Sequence, residues 1–295
     1  MMKRILIVST LDTKRVETFY LRDAIKRLGK EPVILDISMR QREGAKADIP
    51  PQEVAKAGGS TFEEILASKE RAKNTAIMTK GAQSIALDMW KEGRLDGIIG
   101  IGGSTGSLMA TDVMRALPFG VPKLMISATA ALPGMSTRYI DIGDISLMHS
   151  VIEVSGLSDI LKNVIERGAG AVCAMADVSP VRTKKEGEKR PAIAITMLSP
   201  VEQCASGVRE MLEAEGYQVI GFSAAGISDR AMELMIEQGL FDGVIDLAPG
   251  GVIEHLVGGM KDAGPIRMEA AGKVGIPQVI STGGVNYITP PKSKY

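Results

Sequence analysis

Apolar positions along this chain follow two alternating patterns. Short unbroken runs rich in Ile, Val and Leu recur as "RILIVS" (4–9), "EPVILDI" (31–37), "GIIGIG" (97–102), "PKLMIS" (122–127), "AIAITM" (192–197), "YQVIGF" (217–222), "DGVIDL" (242–247) and "PQVIS" (277–281). Unbroken runs suit parallel strands covered on both faces; a strand with one wet face would alternate instead. Between them lie amphipathic stretches such as "VETFYLRDAIKRLGK" and "GVREMLEAEG", each reaching a glycine that can end a helix. Strand, helix and strand joined by short connections predict an α/β fold, with helices layered on both sides of mainly parallel sheets.

The pattern repeats weakly. "RLDGIIGIGGSTG" (94–106) parallels "LFDGVIDLAPGGV" (240–252), and "GVPKLMISATA" (120–130) parallels "GIPQVISTGGV" (275–285). The openings at Arg4 and Ala192 share one strand–loop–helix–glycine–strand layout. Two Rossmann-like three-layer halves follow, over 1–178 and 190–295, enclosing a cleft. The basic, proline-bounded "VSPVRTKKEGEKRP" (178–191) is the expected linker. The first half carries an extra segment, roughly 38–80, whose "KADIPPQEVAKAGGS" predicts a mobile, exposed excursion.

Composition narrows the partners. Lys plus Arg equals Asp plus Glu at 35 each, so no net field draws nucleic acid or an anionic membrane. A bound phosphate must then be gripped by local geometry. "MMKRILIVST" has a basic pair and an apolar run, but the run is too short for a signal peptide, and Asp12 and Lys14 follow at once. No apolar segment reaches membrane-spanning length, and a cytoplasmic protein is expected. Cys173 and Cys204 stand in no metal or redox spacing and suit core filling in a reducing compartment. The 17 methionines fall mostly in apolar stripes, and the few aromatics form no stacking platform for bases.

In open α/β sheets, ligands bind beyond the carboxyl ends of the strands. Three loops hold that position. "STLDTK" packs Thr10, Asp12, Thr13 and Lys14 into the turn before a helix, where hydroxyls, amides and a lysine suit anionic oxygens. The same residues would also serve as a capped helix start with Lys14 solvated. "GIGGSTGS" (100–107) has glycines that let backbone approach a ligand, with Ser104, Thr105 and Ser107 beside a helix dipole. It is neither a Walker A loop nor GxGxxG, and a tight strand–helix turn would use the same residues. "FSAAGISDRAMELMIEQG" (222–239) offers Ser223, Gly226 and Arg230, with Ser228 or Asp229 as a plain helix cap; Asp246 ends the next strand and suits a ribose, a metal-bound water or a turn.

Gly102–Gly106 also fits G-x-S-x-G, the elbow that presents a nucleophilic serine. Ser104 would then need a histidine base, and only His149 and His255 exist. His255 sits in a helix-like stretch, and His149, near Asp141 and Asp144, suits a structural role.

Taken in order, "TLDTKRVETFYLRDAI", "GRLDGIIGIGGSTGS", "GVPKLMIS", "RAMELMIEQGLFDGVIDL" and "AAGKVGIPQVIS" resemble the Tm-one-like ATP-binding domain family. These are uncharacterised bacterial and archaeal proteins similar to the N-terminal region of a tomato mosaic virus resistance protein. The resemblance covers most of residues 3–285. It implies two Rossmann-like subdomains, ATP as ligand with or without magnesium, and self-association into a homo-oligomer such as a dimer. Its T-x-D-T-K-x-x-E pattern falls on Thr10, Asp12, Thr13, Lys14 and Glu17. Its GGS-x-G pattern falls on Gly102, Gly103, Ser104 and Gly106, beside Thr105. Its second-half pattern keeps Gly226, Arg230, Ala231, Met232 and Glu233 and departs at Ala225, Ser228 and Asp229, where Asp229 puts a negative charge near any phosphate. Relatives run past the position of Tyr295, so this chain is expected to be truncated or to have the missing part as a separate C-terminal chain. The expected function is therefore a nucleotide-binding protein, with Gly102–Gly106 and the 10–14 loop on the phosphate of ATP or another phosphorylated small molecule. An enzyme acting on a phosphorylated or acyl substrate, a regulator with a protein partner, and a serine hydrolase using Ser104 stay open.

Overall fold

In a computed structural model, described for residues 2–41, 44, 46–178 and 190–289, the chain forms two compact units, Met1–Pro180 and Val181–Tyr295. Most of the expected linker lies outside the described residues.

The first unit runs β1 (Arg4–Ser9), α1 (Leu11–Arg27), β2 (Glu31–Asp36), α2 (Pro51–Ala57), α3 (Phe62–Ala67), α4 (Arg71–Lys91), β3 (Gly97–Gly102), α5 (Ser104–Ala116), β4 (Lys123–Ser127), α6 (Met135–Ile140), β5 (Ser146–His149) and α7 (Asp159–Asp177). Its sheet is parallel throughout, in the order β2-β1-β3-β4-β5. The second unit runs β6 (Ala192–Met197), α8 (Glu202–Ala214), β7 (Gln218–Ser223), α9 (Ile227–Glu237), β8 (Gly243–Asp246), α10 (Gly250–Val257), α11 (Ala270–Val274) and β9 (Gln278–Ile280). Its parallel order is β7-β6-β8-β9. Both are Rossmann-like α/β units, as the apolar runs predict.

Side-chain alternation explains the layers. In the first unit Ile5, Ile7, Ile99, Ile101, Leu124 and Ile126 point to one face, under α1 and α7. Leu6, Val8, Ile98 and Met125 point to the other, against α2–α5 residues such as Val54, Phe62, Met78 and Met109. Gly100 lets α5 settle close: a Cβ there would lie 2.5 Å from Met125 Sδ and 2.9 Å from Ala110 Cβ.

The repeat is visible in the hydrogen bonds. Arg4 N–H, at the start of β1, donates to Asp96 Oδ2 at 2.8 Å. Ala192 N–H, at the start of β6, donates to Asp242 Oδ2 at 2.9 Å. The registers agree as well, with Ile99 paired to Leu124 and Ile245 paired to Val279.

The structure corrects the 38–80 segment. It is a packed helical layer, with Val54, Ala55, Phe62 and Ile65 buried in the first unit's core. Pro51 opens α2, and a reciprocal Thr61–Glu64 capping box opens α3. Gly58 and Gly81 bring α2 and α4 into backbone contact; a Cβ on Gly81 would lie 1.9 Å from Val54 O. The polar residues that suggested exposure lie on the outer face. The short strand β5 is an addition to the eight expected: it has exposed ends at Ser146 and His149 and no unbroken apolar run.

Candidate functional site

Two helix starts at the carboxyl end of the first sheet, α1 and α5, line one cavity of about 520 Å³. The second of the three loops forms the turn from β3 into α5. Gly103 is the N-cap of α5, in extended backbone, and open space lies where its Cβ would be. Among the described residues, the N–H groups of Gly103, Ser104, Thr105 and Gly106 meet no protein acceptor; the helix's bonding begins with Ser107 N–H to Gly103 O at 2.8 Å. Those amides stand at the positive end of a helix dipole, on residues that line the cavity, an arrangement that suits an anion. Gly102 itself is buried at the end of β3, beneath the turn.

The 10–14 stretch is placed beside it but works differently from the expected loop. The residues form the first turn of α1, kinked at Lys14 (φ −121°, ψ 26°). The amides of Leu11, Asp12, Thr13 and Lys14 are already used. Leu11 N–H donates to Asp36 Oδ1 at 3.0 Å, Asp12 N–H to Ser38 Oγ at 3.0 Å, and Thr13 and Lys14 N–H to Thr10 O. Asp36, buried at the end of β2, therefore plays the anion for α1, with Ser38 bonded to the same oxygen. Burial pushes its carboxyl pKa up, partly opposed by Ser38 and by Leu11 N–H. What α1 offers the cavity is side chains: Thr10 and Thr13, whose hydroxyls lie 2.9 Å apart, Asp12 and Lys14. Lys14 Nζ also donates to Val154 O, which holds its charge in place.

The opposite wall comes from the segment expected to be an excursion. Arg71, at the start of α4, donates from Nη2 to Thr105 Oγ1 at 3.1 Å. Asn74 is buried and donates to Ile65 O and Ser68 O, fixing the turn between α3 and α4. Lys69, Arg40, Met39, Ile65 and Leu66 complete the wall. Among the described residues lining the cavity, Lys14, Arg40, Lys69 and Arg71 are cationic and Asp12 is the one carboxylate. A chain of zero net charge thus has a cationic pocket with some apolar lining.

Under the cavity floor lie hydroxyl chains. Ser107 is buried, and its hydroxyl donates to Ser127 Oγ at 2.8 Å; Ser127 meets Thr129, which meets Tyr139 OH at 2.6 Å. Ser107, counted among the candidate hydroxyls, is thus part of the floor. Glu17 is buried too and accepts from Gly156 N–H at 2.6 Å, tying α1 to the loop before α7.

The elbow reading finds no support in this geometry. Ser104 is the first helical residue, whereas an elbow holds its serine in a strained turn. Non-glycine residues of positive φ among the described residues are Asp141, Val151 and Met268. His149 ends the edge strand β5, and His255, in α10, shares a 2.9 Å contact with Asp262 Oδ1. Asp144, its expected neighbour, instead pairs with buried Lys123 at 2.6 Å.

Ser223, Gly226 and Arg230 belong to the second unit and do not line this cavity. Gly226 has φ +79°, a Cβ there would lie 2.7 Å from the Lys261 carbonyl carbon, and its N–H donates to Asp229 Oδ2 at 2.7 Å. That amide is spent inside the protein. Asp229 is fully buried and paired with Arg267, so its charge does not stand at an open loop. Arg267 also contacts Glu233 at 2.9 Å and Asp246 at 2.7 Å, and Thr196 donates to Asp246 at 2.9 Å. Asp246 is a buried structural group. No cluster of three metal-ligating side chains occurs among the described residues, and no helix among them is long and apolar enough to cross a membrane.

Models of the uncharacterised protein family UPF0261 match this chain twice: its N-terminal domain over residues 3–180 and its C-terminal domain over 190–295. A UPF0261 protein of Clostridium tetani is 35% identical over 288 residues, which cover 98% of this chain and 70% of that protein. A UPF0261 protein of Rhizobium meliloti is 32% identical, covering 97% and 69%. The ToMV susceptible protein tm-1(GCR26) of Solanum lycopersicum is 29% identical over 310 residues, covering 97% of this chain and 40% of that protein.

Proposed function

The chain belongs to the UPF0261 family, and on that premise we propose that its first unit binds the phosphates of a nucleotide, ATP in the first instance. One observation carries the reading: the free amides of Gly103–Gly106 open on a cavity lined by four cationic side chains. The amides take the phosphate oxygens, Thr10, Thr13, Ser104 and Thr105 add hydroxyls, and Arg71 and Lys14 supply charge. A cavity of this size holds a nucleotide-sized ligand. Met39 and Leu66, apolar side chains of the same lining, suit its base or another apolar group. Magnesium, where it is needed, would come with the phosphates, and Asp12 is the carboxylate of the described lining that could meet it. The self-association implied by the family resemblance is proposed alongside, and sedimentation equilibrium measures it.

Calorimetric titration with ATP, ADP and pyrophosphate, with and without magnesium, tests the reading. Wild type should give saturable heat, and Gly103→Asp should abolish it while the protein stays folded, because the new side chain enters open space at an unstrained φ of −88°. ATP stronger than pyrophosphate supports a nucleotide; equal binding points to a phosphorylated small molecule of another kind. Negligible heat with every ligand, or binding indifferent to Gly103→Asp, ends the proposal.

A further inference from the structure

The two units show which surface of the second one is unfinished. In the first unit the face of Ile99 and Leu124 lies under two helices, α1 and α7, and Leu124 is 2% exposed. Register and sequence repeat make Val279 the counterpart of Leu124, and Ile245 that of Ile99. Val279 is 61% exposed and Ile245 is only partly covered. The counterpart of α1 is α8. Where α1 buries Leu11, Leu21, Ala24 and Ile25, α8 buries Ala205 alone and leaves Met211 72% exposed. Among the described residues, no helix stands where α7 stands, and no strand pairs with β9 as β5 pairs with β4. The uncovered area is therefore a sheet edge and the adjoining strip of one face, both apolar.

We propose that β9 and the α8 side of the second sheet are the docking site for a strand and an amphipathic helix, supplied by the part of UPF0261 relatives outside the match. Three observations choose this occupant. The first unit completes the same four-strand order with that very pair, β5 and α7, placed after its fourth strand. The exposed apolar residues are those such a helix would cover. The Clostridium tetani relative also has enough to supply it: 288 residues are 70% of its length, and the remainder exceeds the stretch from Ala128 to Asp177 that carries β5 and α7. Strand addition would use the free backbone edge of β9, and the helix would bury Val279, Ile245 and Met211. This surface is independent of the nucleotide cavity.

Co-expression of the 295-residue chain with the unmatched part of the Clostridium tetani relative, as a separate polypeptide, is the test. A one-to-one complex should survive gel filtration, and amide exchange at Gln278–Ile280 and along α8 should slow at least tenfold. Val279→Lys and Met211→Lys, both at exposed positions of the isolated chain, should each weaken the complex at least tenfold while leaving the melting of the chain alone unchanged. If the partner is insoluble alone, tethering it by a flexible linker gives the same exchange readout. No complex and no protection in either format overturns the proposal, as does a complex indifferent to both lysines. A dimer of the chain alone that Val279→Lys disperses would assign the face to a second copy and equally overturn it.

Discussion

The two units share a strand order and differ at the carboxyl ends of their strands. Where β3 has Gly100, small enough for α5 to pack close and for the next turn to stay open, the repeat places Asp246 in β8. Asp246 needs a buried partner, and Arg267 fills that need while also pairing Asp229 and Glu233. One half thus ends in a glycine-rich turn over a cationic cavity; the other holds a buried ionic cluster at its strand ends. One topology supports both, because the parallel ladder and the covering helices do not depend on what closes the strand ends.

Breaking that cluster should give the largest effect. Arg267→Met leaves Asp229, Glu233 and Asp246 buried without a cation, and losing one partner of a buried pair costs about 3–5 kcal/mol. Amide exchange should show β6 and β8 opening while β1 and β3 keep their protection. Equal loss of protection in both units would mean that they do not unfold separately. Adding Asp229→Asn to Arg267→Met should recover part of the loss, since it removes one uncompensated charge.

The first unit should respond in binding rather than stability. Arg71 bonds Thr105 from an exposed position, so Arg71→Ala should hardly change the denaturation midpoint. A lost charged hydrogen bond is worth about 1.5–3 kcal/mol, so affinity for ATP should fall roughly tenfold to a hundredfold. Arg230→Ala, in the second unit, should leave that affinity unchanged. An equal fall with both variants would blur the contrast and place the ligand elsewhere. Ser107→Ala acts below the cavity and should do the reverse, costing about 1 kcal/mol of stability through the lost Ser107–Ser127 hydrogen bond with less than a threefold change in affinity.

This contrast was only partly legible in the chain. Eight strands could be located because each carries an unbroken apolar run, the edge strands β2, β7 and β9 included; β5, four residues with exposed ends, carries none. The open turn at Gly103 was legible because a glycine-rich run between a strand and a helix lets the backbone stay uncovered there. The Arg71 wall was not, because the outward faces of α3 and α4 are polar and look like a solvated surface, and α3, at six residues, is too short for its Phe62–Ile65 pair to stand out as a core face. Nor could sequence show that Leu11 and Asp12 amides are spent on Asp36 and Ser38, or that Asp229 is neutralised by Arg267, 38 residues away. Both depend on where the chain returns in space.

The smallest expected effect sharpens the role of Asp36, the carboxylate that occupies α1's amides. Its folded pKa is raised, chiefly by burial, above the ordinary 3.8. The unfolded chain therefore releases this proton at lower pH than the folded one. The contribution of Asp36 is fully present below the ordinary value and is lost as pH rises through the raised value. Asp36→Asn keeps an oxygen for Leu11 N–H and cannot ionise. Urea midpoints of wild type and Asp36→Asn, measured in steps from pH 3.5 to neutrality, should therefore shift against wild type as pH rises and level off once both states are ionised. A gap that is constant with pH would show that the carboxylate costs nothing on burial, so that α1's amides hold it as well as water does. The cavity's second helix start would then be as good an anion site as the first, already filled from within.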